Sequence, residues 1–482
     1  MESNVGAAFC RSHLIEELTI PRLHELLRRG EVTCEALVRA YLARIADLDA
    51  QGPCLNAVIA VNPHAVDEAR ALDEELRRGG PTWPSAPLYG VPVLLKDNCE
   101  TADMPTTAGS RSLEDFRTGR DADLVRRLRE AGAVILAKTN LHEFAIWGET
   151  VSSMKGQTLN PYDLTRTPGG SSGGTGAAVA ANFGLVGIGT DTVNSIRSPA
   201  SACALCGIRP TVGLVSSEGI VPYANTQDTA GPIARTVEDA VRVLDVIAMN
   251  NGHRPASYLN SLNADGLRGK RIGLLESFWG SEAINAPVNN VVQAALARLR
   301  EAGAVLVPIA DAIDPDWLVR EVSVHLYELK EHLGAYLTAF GERAPVHSID
   351  EILASGKYTP DIEENLKTAN GLGTDMLAYA ERLERRAEVQ RQVLAILERE
   401  RLDALLYPHQ QQLVSKVGAG QKQRNGVLGS VTGFPAIVVP GGFADGVPVG
   451  LEFLGRPFDE PQLIEIVYGL EQAEPIRVPP VL

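Results

Sequence analysis

Three short segments hold residues whose types and spacing could do nucleophilic chemistry at a carbonyl. In Gly189-Thr190-Asp191-Thr192-Val193-Asn194-Ser195-Ile196-Arg197-Ser198-Pro199-Ala200, a serine follows an apolar run and sits in a tight polar turn. Such a turn can expose a hydroxyl nucleophile and aim backbone N–H groups at a developing oxyanion. Asp191 and Arg197 stand beside it, and they would equally form a salt bridge that only fixes the loop. In Gly90-Val91-Pro92-Val93-Leu94-Leu95-Lys96-Asp97-Asn98, a lysine ends a wholly apolar strand, whereas most lysines end on the surface. An inward Lys96 would lose hydration and become neutral, able to accept a proton. The alternative is a plain Lys96–Asp97 pair at a strand end. The third segment, Pro168-Gly169-Gly170-Ser171-Ser172-Gly173-Gly174, leads into a helix of small residues. Its glycines let the backbone approach a ligand closely, and the helix start offers unpaired N–H groups. A merely flexible Gly/Ser loop accounts for that segment equally well.

The elements that must hold these segments follow from hydrophobic periodicity. Val93–Leu95, Val134–Leu136 and Leu185–Ile188 read as buried strands, and Asp123–Glu130, Ser172–Ala181 and Val237–Met249 as helices. Thr19 and Thr33 are placed to cap two opening helices, and a third spans Val66–Leu76. Strands at Arg271–Leu275 and Val305–Val307 enclose a helix at Val288–Ala302. A long helix over Asp375–Arg401, capped by Thr374, has Leu377, Leu383, Val389, Val393, Ile396 and Leu397 on its apolar side. Late strands are expected at Leu405–Tyr407, Ala436–Val439 and Val449–Phe453. This alternation argues for an α/β protein with a central mixed sheet covered on both faces by helices. No linker is rich enough in Pro, Gly and Ser to force a cut. The expected organisation is one domain over 1–482: helices over 1–80, a chemical core over 81–250, a helical insertion on the substrate side over 251–430, and a return to the sheet over 431–482.

Composition narrows the function classes. The net charge of −15 repels nucleic acid and anionic membranes. The six cysteines (Cys10, Cys34, Cys54, Cys99, Cys203 and Cys206) are scattered, as in a reducing compartment. Cys203-Ala-Leu-Cys206 lacks the second pair that zinc would need. No metal or cofactor is expected. Glu2, Arg11, Glu16 and Glu17 break the N-terminus as a secretory signal, and the uncharged Ser171–Thr190 stretch is too rich in glycine for a membrane helix. The expected location is the cytoplasm.

Taken in order, the lysine strand, the Gly-Gly-Ser-Ser-Gly-Gly loop and the Ser-Ile-Arg segment resemble the amidase signature family. The resemblance extends to Thr106-Thr107-Ala108-Gly109-Ser110, Ala137-Lys138-Thr139-Asn140, Asn160-Pro161, Gly433-Phe434-Pro435-Ala436 and Gly446–Leu451, and so covers most of the chain. It implies a Ser–cis-Ser–Lys triad in which Ser195 matches the nucleophile, Ser171 the middle serine after a cis peptide bond, and Lys96 the general base. It implies an oxyanion hole at the N–H groups of Thr192, Val193, Asn194 and Ser195, with support from Ser172, Thr190, Asp191 and Arg197. His142, in the Lys138–Phe144 segment, reads as a helix residue outside the triad.

The family usually has Gly-Gly where this chain has Val193-Asn194. Valine tolerates positive φ badly and asparagine better, so this departure bears on the shape of the oxyanion loop, and the Asn194 amide would add a polar group there. The same departure resembles members acting on aryl amides or carbamates (urethanes). The expected partner is therefore a small-molecule amide or carbamate, with a homodimer as the candidate assembly. Two alternatives are a glutaminyl-tRNA amidotransferase A-type subunit, which releases ammonia from glutamine for a partner protein, and a non-catalytic scaffold of the same fold. Val193-Asn194 and the His409-Gln410-Gln411-Gln412 stretch argue against the first. Tyr327, Tyr379 and Gln410–Gln412 are expected near the pocket mouth, and 418–426, with Gly418 and Gly420, is expected to form a mobile lid.

Overall fold

The computed structural model describes residues 15–80 and 86–482. Cys10, Glu2 and Arg11 lie outside the described residues. The strands are β1 (Val58–Val61), β2 (Pro92–Lys96), β3 (Val134–Thr139), the small hairpin β4 (Val151–Ser152) and β5 (Gly156–Gln157), β6 (Val186–Asp191), β7 (Cys206–Arg209), β8 (Thr229–Ala234), β9 (Arg271–Leu275), β10 (Val305–Ile309), β11 (Ala404–Pro408), β12 (Ala436–Ala444) and β13 (Val447–Leu454). All but the hairpin join one eleven-stranded sheet in the order β1-β3-β2-β6-β8-β7-β12-β13-β11-β9-β10. It is mixed, as expected: β2 runs parallel to β3 and β6, β6 antiparallel to β8, and β9 parallel to β10 and β11.

Every residue of β2, β3, β6, β8 and β13 is buried. Side chains alternate between the two faces of a strand, so both faces of the sheet centre are covered. This explains why these strands read as continuous apolar runs. The covers include the Gly173–Ala180, Val237–Ile247, Ala286–Glu301 and Glu460–Ala473 helices. Thr19 and Thr33 cap the Ile20–Arg28 and Cys34–Leu48 helices through their side chains, as expected.

The 251–430 stretch divides its work. Strands β9, β10 and β11 extend the sheet, while the His325–Thr338, Ile349–Ser355 and Glu363–Asn370 helices bury a separate apolar cluster against Leu113, Phe116 and Phe144. The long helix starts later than expected, at Leu377. Thr374 does not cap it, because its hydroxyl and amide both donate to the Glu331 carboxylate. Leu377 is 76% exposed and Leu383 37%, so the apolar side is confined to Val389, Val393, Ile396 and Leu397. In the helix's first half, the inward positions go instead to Tyr379, which donates to Glu328, and to Arg386, which donates to Thr226 and to the Val431 carbonyl.

At the far end of the chain, Arg477 bonds the Ala180 carbonyl at 3.1 Å and the Cys203 and Ala204 carbonyls at 3.3 and 3.0 Å, and it pairs with Glu17. It thereby joins the carboxyl ends of two helices, Gly173–Ala180 and Arg197–Ala202.

Candidate active site

Strand β2 delivers Lys96 into the interior with no exposed surface. Asp97 is not its partner, because that carboxylate pairs with the equally buried Lys138 at 2.8 Å and accepts from Thr107. Lys96 Nζ lies 2.7 Å from Ser171 Oγ, 2.8 Å from Thr190 Oγ1 and 3.4 Å from the Thr190 carbonyl. Burial pushes its pKa down to about 7. Asn98 adds a bond from Nδ2 to Thr190 Oγ1 at 3.0 Å and so holds the threonine that faces the lysine.

The Gly-rich segment is a clamped loop rather than a flexible one, and the Gly170–Ser171 bond is cis. Thr150 Oγ1 donates to the Gly169 carbonyl and accepts from Gly173 N–H; Ser198 Oγ accepts from Gly170 N–H. The Ser171 carbonyl accepts from His142 N–H at 3.0 Å. His142 lies just before a short turn of 3₁₀ helix at Glu143–Ala145, not within a helix. Its Nδ1 accepts from Glu149 N–H, and burial lowers its pKa to about 3, so it stays neutral. Behind the loop, the Gly173–Ala180 helix presses on the chain after β3. A Cβ on Gly174 would fall 2.2 Å from the Asn140 carbonyl oxygen, which only glycine avoids.

Ser172 joins the loop to β6. Its Oγ donates to the Thr190 carbonyl at 3.1 Å, and its N–H donates to the Ser195 carbonyl at 3.2 Å. Ser195 follows β6, is 5% exposed, and its hydroxyl makes no hydrogen bond among the described residues. The N–H groups of Val193, Asn194 and Ser195 likewise donate to no group among the described residues. The loop they form is anchored on three sides. The Val193 carbonyl accepts from Arg197 Nη2 and from Ser430 Oγ. The Thr192 carbonyl accepts from Gln227, and Thr192 Oγ1 donates to the half-buried Asp228 at 2.6 Å. Burial raises the Asp228 carboxyl to about 6.

Neither Val193 nor Asn194 takes a positive φ, so this loop needs no glycine. Val193 instead packs into an apolar cluster with Leu275, Phe278, Tyr407 and Val427. Asn194 lies against Gly426, where a Cβ would stand 2.8 Å from Asn194 Cβ, and its Nδ2 is buried without a hydrogen-bond partner among the described residues.

Asp191 and Arg197 do form the expected pair, within a larger network. Asp191 bonds Arg197 at 3.1 Å and Arg209 at 2.7 Å; Arg197 also meets Glu452, which accepts from Tyr407 and bonds His409. Burial alone would raise the Asp191 carboxyl, but the two guanidinium groups outweigh it and hold the group below the usual carboxylate range. Among the described residues, no group of three or more His, Cys, Asp or Glu could hold a metal. Cys203 and Cys206 are free and buried.

Sequence reasoning missed Asp228, Gln227, Thr150, Arg209 and Glu452. Only Glu452 carried a readable signal: a lone acid in the otherwise apolar Val447–Leu454 run needs a buried cation. The expected pocket-mouth residues do other work. Gln410 and Gln412 both donate to the Lys422 carbonyl, and Gln411 donates to Asn425. They brace the 418–426 segment, which is also fastened by Gly420 N–H to Glu149 and by Gln421 to Ser198. This segment is a stitched strap rather than a free flap. Tyr379 donates to Glu328, and Arg382 stacks on Tyr327.

Residues 36–464 match the amidase family model. The chain is 36% identical over 480 residues to the A subunit of glutamyl-tRNA(Gln) amidotransferase from Oleidesulfovibrio alaskensis, covering 94% of this chain and 96% of that one. It is 35% identical to a probable amidase of Arabidopsis thaliana, covering 97% and 92%. Among solved structures, peptide amidase from Stenotrophomonas maltophilia superposes with a TM-score of 0.87 at 38% identity, covering 96% of this chain and 98% of the other. No helix among the described residues is long and apolar enough to cross a membrane. With the lysine strand, the cis-serine loop and the Ser195 turn assembled in one sheet-borne site, and with matches along nearly its whole length, the chain belongs to the amidase signature family.

Proposed function

We propose that this protein hydrolyses an amide-type C–N bond through an acyl-enzyme, with Ser195 as nucleophile, Ser171 as proton relay and Lys96 as general base. The observation that carries this reading is Lys96 itself: fully buried, unpaired with any carboxylate, and 2.7 Å from Ser171 Oγ. The neutral amine takes the Ser171 proton as Ser171 takes that of Ser195. Ser195 Oγ then bonds the carbonyl carbon, and the unpaired N–H groups of the 192–195 turn hold the resulting oxyanion, each such donor contributing about 10²–10³ in rate. When the C–N bond breaks, the relay runs backwards and Ser171 protonates the leaving nitrogen. Water then cleaves the ester by the same route. Ser172, Thr190, Asp191 and Arg197 position these groups rather than react.

The substrate class we favour is an aryl or alkyl amide or a carbamate, a carbamate acyl half losing CO₂ after transfer. The test is a matched aryl amide and aryl carbamate of one leaving amine, assayed with wild type and Ser195→Ala. Loss of about 10³-fold or more in the variant is expected, and the ratio of the two substrates ranks amide against carbamate. Near-normal rates in Ser195→Ala would end the assignment. The similarity to the A subunits of amidotransferases supports a second reading, release of ammonia from glutamine for a partner. Silence on both aryl substrates, with glutamine hydrolysis that needs added partner subunits, would select it.

A further inference from the structure

Five arginines lie on the segments around the oxyanion loop, and four of them bond carboxylates, hydroxyls or carbonyls. Arg197 and Arg209 bond Asp191; Arg386 donates to Thr226 and the Val431 carbonyl; Arg382 donates to the Ser323 and Arg320 carbonyls. Arg424 differs. Its guanidinium lies 4.8 Å above the Trp147 ring and has no hydrogen bond or ion pair to any side chain or carbonyl among the described residues. The group is partly buried, and desolvation lowers its pKa. A cation–π contact holds the guanidinium in place but does not neutralise its charge. Trp147 braces the cation without compensating it. The ring holds the guanidinium flat and leaves its N–H edge open, the geometry that receives a carboxylate in bidentate fashion.

The position of this pair gives the unmatched charge its meaning. Trp147 precedes Gly148, whose backbone carbon lies 2.8 Å from where a Cβ on Gly170 would stand, beside Ser171. Arg424 is two residues before Gly426, which packs against Asn194 beside Ser195. Tyr223 and His325, both within electrostatic range of Arg424, pack edge to face at 5.4 Å, and Tyr223 lines a cleft with Thr190 and Thr192. The cation therefore sits between the two segments that flank the serines. Asp316 also senses it but is exposed and not within ion-pair distance. The overall charge of −15 repels anions at long range, so an anionic substrate would need a local cation of this kind.

We propose that Arg424, braced on Trp147, forms a carboxylate-binding subsite, so that the preferred amide carries an anionic group apart from the bond that is cut. This deepens, and rests on, the assignment of Ser195 as the nucleophile of an amide hydrolase. The test compares succinyl 4-nitroanilide with butyryl 4-nitroanilide, glutaryl with valeryl, and a carboxylated leaving aniline with its neutral parent. Wild type should favour the anionic member of at least one pair by about 10–100-fold in kcat/KM. Arg424→Met should collapse that ratio towards one, chiefly through KM, and Arg424→Lys should restore part of it. Because the ratio is internal, general damage to the site leaves it unchanged. Binding of the same pairs to Ser195→Ala, with and without Arg424→Met, reads the subsite without turnover. Equal binding of anionic and neutral members in all three pairs, or a ratio that survives Arg424→Met, overturns the proposal. A preference that persists in binding while wild type hydrolyses nothing would sink the hydrolase reading and leave the subsite standing.

Discussion

With Lys96 as the proposed general base, its environment makes two linked predictions. With burial holding its pKa near 7, kcat/KM should fall as pH drops below about 7, because the proton acceptor is then occupied. A pH–rate profile flat from pH 5 to 9 would contradict this. The same shift acts on stability. Between pH 7 and the ordinary lysine value of 10.5, the unfolded chain holds a proton at this position that the folded chain does not. Stability therefore rises with pH through that window, and the penalty for burying the amine is fully present below it. Lys96→Met should be inactive, yet more stable than wild type at pH 6 in urea unfolding, with the gap narrowing towards pH 10. The position was legible because a cation closing a run of Val93, Leu94 and Leu95 is carried inward with the strand. Asp228 was not legible: an acid in a polar loop before a strand looks like any surface residue until the fold brings Thr192 to it.

At the scale of elements, the site depends on how closely the Gly173–Ala180 helix packs on the sheet. Gly174→Ala would place a methyl carbon 2.2 Å from the Asn140 carbonyl oxygen and 2.6 Å from its nitrogen. Neither atom can yield without moving the end of β3. Overpacking of this kind costs about 1–3 kcal/mol, and the displaced helix carries Ser171 with it. We expect a lower unfolding midpoint together with at least a tenfold loss of kcat; a variant with wild-type kcat would show that the helix tolerates the shift. Strands and helices of this core were readable because fully buried parallel strands have continuous apolar runs and their cover helices have small faces. The 375–401 helix was read less well. Leu377 and Leu383 fit the periodicity, but the tertiary contacts available to that half of the helix are polar. The strap at 418–426 looked like a free loop because its glycines are visible in the sequence, while its fastenings to Glu149 and Ser198 are long-range.

Across the whole molecule, β6 and the helices at Gly173–Ala180 and Arg197–Ala202 receive their restraints from distant parts of the chain. Glu452 reaches Arg197 from 255 residues away, and Arg477 reaches Ala180 from 297. Long-range polar contacts of this kind have no local signature, which is why motif matching pointed to the serines and the lysine but not to what holds them. Arg477 sits where two helix dipoles present their negative ends, and its side chain is 10% exposed. Arg477→Ala should destabilise by about 2 kcal/mol in denaturant unfolding, from loss of charge-assisted bonds. It should also lower kcat more than it alters KM, because substrate contacts remain. Unchanged kcat with lowered stability would assign it a purely structural role. One helix begins just after Ser171 and the other just after Ser195, so a single cation at their opposite ends works like the pivot of a pair of tongs. The spacing of the jaws is then set from behind. Any pull on the segment that carries Arg477 therefore moves that pivot and detunes the site without touching its pocket.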